Sequence, residues 1–88
     1  MEKEAKEEAT KRLSYITGHV EAVGRMVEQG QYCVDIMKQL FAVRRALAKV
    51  EVVILDSHLK SCVVEGIRDG RQDRVLQELV DLYDLANR

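Results

Sequence analysis

The sequence has no proline and no tryptophan, and aromatic residues make up only 5 % of its 88 positions. Without proline nothing forces a helix to kink or stop, and with five glycines the punctuation is sparse. Two cysteines are too few for a disulfide framework. No apolar run approaches the roughly 20 residues of a membrane span, and the opening M-E-K-E-A-K-E-E is too charged for a signal peptide. These absences predict a soluble, cytoplasmic protein in a reducing compartment, with no membrane partner. Neither sign of charge dominates: 14 basic side chains face 15 acidic ones, for a net charge of −1, which argues against an indiscriminate polyanion binder.

What remains is 47 % hydrophobic and 33 % charged, the balance of a helical bundle or helical oligomer. A chain of this length makes one domain, residues 1–88, and buries only a modest core alone. The pattern predicts an all-α protomer of three helices. The first runs from about Glu4 to Gln29, with Ala9, Leu13, Ile16, Val20, Val23 and Val27 spaced by three and four. Gly18 and Gly24 lie inside it and are expected where another backbone packs closely. Gly30 ends it.

The second helix, Tyr32 to Glu65, is long, contains neither glycine nor proline, and is expected to close at Gly66. Residues Ile67 to Gly70 then form a polar connection to a third helix, about Arg71 to Ala86. Met37, Leu40, Phe41, Val43, Leu47, Val50, Val53 and Leu55 cover more than one face of the central helix. Two other helices cannot cover so much apolar surface, so self-association is the economical answer.

The central helix also carries the chemistry. His58 and Cys62 are four residues apart and share a face, while Cys33 stands at the opposite end. An unbroken helix separates Cys33 from that pair by roughly 38–44 Å. The three donors therefore cannot meet on one ion within a chain. They meet if a second copy lies antiparallel, giving two equivalent sites per dimer. Two thiolates and an imidazole suit monovalent copper or zinc rather than magnesium or calcium, and three donors without a fourth favour copper. The plain alternative stands beside this: a cysteine on an apolar helix is most often a small buried hydrophobe, and His58 can serve as a simple hydrogen-bonding residue. His19 reads as an ordinary surface or interface histidine.

Between Asp35 and Glu51 there is no acid, while Lys38, Arg44, Arg45 and Lys49 all fall there. Repeated by symmetry, that face builds a basic patch despite the neutral total; alternatively it is only the solvated side of a helix. No nucleophile–base–orienter set or phosphate-binding glycine loop is present, so an enzyme is not expected.

The blocks R-L-S-Y-I-T-G-H-V-E-A-V-G-R-M-V-E (Arg12 to Glu28), Y-C-V-D-I, A-V-R-R-A-L and H-L-K-S-C-V follow one another in a specific order and spacing. In this the chain resembles the CsoR/RcnR family of bacterial metal-sensing transcriptional repressors, most closely its copper-sensing branch. The resemblance implies antiparallel helical dimers assembled into a disc-shaped homotetramer. It implies Cu(I) ligands at Cys33, His58 and Cys62, with Tyr32 and Glu78 around them. It also implies operator DNA bound without a helix-turn-helix, released by copper to derepress efflux and copper-handling genes. Arg12 and Lys49 match basic residues linked to DNA binding, and Arg44 and Arg45 belong to the same basic segment. Glu21 departs from the family, where a basic residue is frequent. His58 argues against the persulfide-sensing branch, and the absence of histidine before His19 argues against the nickel and cobalt sensors. A persulfide or other thiol-reactive sensor, a nickel, cobalt or zinc sensor of the same family, and a non-sensing helical scaffold are the alternatives.

Overall fold

The computed structural model describes residues 1–88 as an all-helical hairpin with a short third arm. Helix α1 spans Lys3–Glu28 and α2 spans Cys33–His58. A π-helical turn at Leu59–Val63 continues α2 directly into α3, Val64–Arg68, and α4 covers Gln72–Ala86. From Cys33 to Arg68 the helical run is continuous, so the long central rod and the three-helix architecture expected from the pattern are present.

Two turns of the same design shape the chain. After α1, Gly30 takes φ 64°, its N–H donates to the Val27 carbonyl, and the Gln31 N–H donates to Met26. After α3, Gly70 takes φ 78°, its N–H donates to Ile67, and the Arg71 N–H donates to Gly66. Both are the left-handed glycine cap that closes the last carbonyls of a helix.

Gly66 was expected to close the long helix, and it does not. The rod runs on to Arg68, so Ile67 and Arg68 are helical rather than part of a connection. The physical role of Gly66 is close packing. A Cβ built on it falls 2.5 Å from Val75 Cγ1 of α4, and Val75 is buried there. Gly18 and Gly24 show the reverse: no atom of the chain lies within 4 Å of a Cβ at either position, so the close backbone contact expected there is not made within the protomer.

The core is a seam between α1 and α2. Ala9, Ile16 and Val23 recur every seven residues on α1; Ile36, Val43, Val50 and Ser57 do so on α2. Hydrogen bonds from the Glu2 N–H to Ser57 Oγ and between His19 and Gln39 set the antiparallel register. That register brings Ala9, Ile16, Val43 and Val50 into one buried cluster, with Ala46 and Val53 against it.

A second seven-residue series is left open. Leu13, Val20 and Val27 are 41 %, 50 % and 59 % exposed, and Leu40, Leu47 and Ile54 on α2 are similarly uncovered. The chain exposes 7057 Å² in all, against about 5,300 Å² for a compact monomer of 10.1 kDa. Its radius of gyration is 17.4 Å, where a compact domain of this length has about 12 Å. Continuous apolar surface of this kind marks a face that another surface covers. No helix is long and apolar enough to cross a membrane.

Replacing Gly66 by alanine forces Val75 aside and is expected to lower stability by about 1–3 kcal/mol, the usual range for overpacking. Urea unfolding of Gly66→Ala beside Gly66→Ala/Val75→Ala checks it. The second substitution removes the colliding methyls, so the double variant is expected to lie above the sum of the two single losses.

Candidate functional site

The three soft donors are held by one rod. Cys33 is the first residue of α2, exposed and preceded by Tyr32, whose extended backbone leads the chain into the helix. His58, half-buried, is the last residue of α2. Cys62 lies inside the π-helical turn and is exposed. Both thiols are free. Because the helical run is unbroken, Cys33 stays roughly 38–44 Å from the other two. No group of three His, Cys, Asp or Glu side chains in one chain is placed to hold a metal. The structure thus brings His58 and Cys62 to the same turn of helix and leaves Cys33 at the far end.

The π-helical turn was not anticipated. Its residues, Leu-Lys-Ser-Cys-Val, read as ordinary helix formers, and a shift of hydrogen-bond register has no compositional mark. Of the side chains expected around the donors, Tyr32 is exposed at the mouth of α2. Glu78 lies on α4, with its carboxylate 3.8 Å from the Arg74 guanidinium.

A second feature lies on the outer side of the α1–α2 seam. Arg12 and Lys11 of α1 and Arg45 and Lys49 of α2 converge on an open groove of about 460 Å³, floored by Ile16, Ala42 and Ala46. Helical spacing puts Arg45 and Lys49 on one face, and the antiparallel register sets Arg12 opposite them. Glu8 pairs with Arg12 at 2.8 Å, both about half exposed, which orients the guanidinium more than it stabilises the fold.

Arg44 stands to one side, over a shallow depression with Phe41 and Ala48. Lys11 escaped the sequence reading; its position one residue before Arg12 on α1 was the available signal. His19 donates its Nε2–H to Gln39 Oε1 at 2.8 Å and meets the Tyr15 ring edge-on at 6.4 Å. It ties α1 to α2 and is not among the soft donors.

Comparison with known proteins places this geometry. The family described as metal-sensitive transcriptional repressor matches residues 5–84. The chain belongs to that family. Among its relatives, the copper-sensing transcriptional repressor CsoR of Mycobacterium ulcerans is 41 % identical over 76 residues, covering 86 % of this chain and 65 % of that protein. The Bacillus subtilis protein of the same name is 37 % identical over 78 residues, 89 % of this chain and 77 % of its own length. The chain therefore spans just under two thirds of the mycobacterial protein's length. The crystal structure of the copper-sensing repressor CsoR with Cu(I) from Geobacillus thermodenitrificans superposes with a TM-score of 0.93 at 38 % identity, covering 100 % of this chain and 92 % of that one. The fold of the repressor family is thus present along the whole of the chain.

Because the rod keeps Cys33 and Cys62 beyond the reach of a disulfide within one molecule, mild oxidation is expected to give only intermolecular links. Non-reducing electrophoresis after oxidation should show covalent dimer and no faster-migrating monomer.

Proposed function

We propose that the chain is a copper(I)-responsive transcriptional repressor whose metal site is shared between two copies. The observation that carries this reading is the placement of three soft donors at opposite ends of an unbroken helix that also bears an uncovered apolar stripe. An antiparallel partner laid along Leu13, Val20, Leu40 and Leu47 covers the stripe and brings Cys33 to the partner's His58 and Cys62. Two such dimers stack into a disc-shaped homotetramer. The relatives named for copper sensing support the choice of ion, and the donor chemistry agrees with it. The whole of residues 1–88 acts as one sensing and DNA-binding domain, in the bacterial cytoplasm, and catalyses no reaction.

In the copper-free form the groove of Arg12, Arg45 and Lys49, with Arg44 at its side, meets operator phosphates. Contacts of this kind position a protein on DNA and make its affinity steeply salt-dependent. The Cys33 and Cys62 thiolates and the His58 imidazole would hold Cu(I), which would supply a positive charge at that point. The second imidazole nitrogen of His58 is then free to bond Glu78, with Tyr32 of the partner subunit beside it, which links the long rod to α4. DNA release needs a coupling of about 1–3 kcal/mol, and by reciprocity DNA weakens copper binding by the same factor.

Anaerobic titration of reduced protein with Cu(I), followed by anisotropy of a labelled duplex selected by the copper-free protein, tests this reading. One Cu(I) per chain is expected to release the DNA. Cys33→Ala is expected to lose tight copper binding, while His58→Ala binds copper and stays on DNA. Copper binding with no change in DNA affinity would instead favour an oxidant or persulfide signal at the thiols. Failure to bind either would leave a helical scaffold.

For the groove, Arg45→Ala and Lys49→Ala are each expected to weaken DNA binding on every sequence and to lower the slope of log affinity against log salt by about 1. Lys38→Ala, outside the groove, is expected to leave the slope as it is.

A further inference from the structure

The π-helical turn Leu59–Val63 starts directly after His58 and contains Cys62, the two donors that one chain holds together. Where a helix slips from the i−4 to the i−5 register, one main-chain carbonyl is passed over and needs another partner. The Ser61 hydroxyl donates to the Ser57 carbonyl at 2.7 Å, one turn back, at the entry to the wide turn. The same hydroxyl is 3.8 Å from Cys62 Sγ.

Ser57 is no ordinary acceptor. It is 1 % exposed, and its own hydroxyl accepts the Glu2 N–H at 3.1 Å from the start of α1. A serine hydroxyl bonded one turn back is common on exposed helices and bends them slightly without further consequence. Here the bond falls inside a register shift, ends on a buried residue fastened to a second helix, and lies against a donor thiol.

We infer that Ser61 is a positioning residue for Cys62. Its hydroxyl braces the wide turn on Ser57, and the brace sets the angle between Cys62 and His58 at which a third donor from another copy completes the site. Ser57 fastens the brace to α1, so the donor turn and the helix that carries Arg12 share one buried anchor. This rests on the donor set proposed above and adds a residue outside it.

Ser61→Ala and Ser61→Thr in the full chain test the brace, since threonine keeps the hydroxyl and alanine removes it. In competition with a chromophoric Cu(I) chelator, Ser61→Ala is expected to bind about 10-fold more weakly and Ser61→Thr within about twofold of the parent. Helix content by circular dichroism is expected to be the same in all three. Equal copper affinity in Ser61→Ala and the parent overturns the inference. So does a threonine variant as weak as the alanine one, which would indicate side-chain shape rather than the hydroxyl.

A metal-free measurement separates this from the copper reading. The rate of iodoacetamide alkylation at Cys62 relative to Cys33 in the same molecule, read by mass spectrometry, is expected to change in Ser61→Ala and to return in Ser61→Thr. If the parent binds no Cu(I), the copper reading fails and this ratio decides alone: a change restored by threonine upholds the brace, and an unchanged ratio overturns it.

Discussion

The seam between α1 and α2 is the constraint on which the rest of the molecule depends. Ala9 and Ile16 close against Val43 and Val50, and only seven apolar side chains in the whole chain become buried. Five of the seven are valine, beside one alanine and one isoleucine, so each contact contributes little area, at about 25 cal/mol per Å². The larger apolar residues, Leu13, Leu40, Phe41, Leu47 and Leu55, are the ones left at the surface. The inversion is informative: the small residues set the close approach of two helices, and the large ones are reserved for a wider face. A protomer built this way leaves its largest apolar side chains for another surface to cover.

The same constraint sorts the chemistry. A helical rod without interruption keeps the thiols apart, and the hairpin leaves one apolar face open. On the other side of the seam the two helices bring Arg12, Arg45 and Lys49 to one groove although the chain as a whole carries a net charge of −1. Acids are not absent; they lie outside this segment of α2 and at Glu8, where one of them orients Arg12. Local arrangement rather than total charge therefore governs what this surface attracts, and attraction of that kind is short-ranged at physiological salt, where the screening length is about 8 Å.

Much of this was legible in the residues. The spacing of Ala9, Ile16 and Val23, the lack of proline, and the run from Tyr32 to Glu65 were enough for three helices and a long central one. Gly30 was a correct stop because a glycine there meets the need for positive φ. Gly66 looked the same on paper and was not, since a glycine is also used where another side chain must come close, and Val75 lies too far along the chain for local pattern to reveal it. Gly70 held the true cap. At the site, residue type alone singled out Cys33, His58 and Cys62, and an extended-rod estimate already excluded a site within one chain. The π-helical turn, the Ser57–Glu2 fastening and the contribution of Lys11 depend on register and on the pairing of distant segments, which no local window carries.

The site proposed above, divided between copies, has a thermodynamic consequence. In that proposal the donors at opposite ends of one rod meet only by association, which makes metal affinity and assembly linked quantities. Tight copper binding then strengthens the pairing of chains, and weakened pairing lowers apparent copper affinity even when every donor is intact. A substitution such as Leu47→Glu, far from any donor, is therefore expected to act on copper binding through the apolar face alone. Its effect should shrink as protein concentration rises, because mass action restores the pair, whereas loss of a donor such as Cys33 should persist at every concentration. Sedimentation beside copper competition over a range of protein concentrations distinguishes the two. The contrast follows from where the sequence places its large apolar residues relative to its thiols.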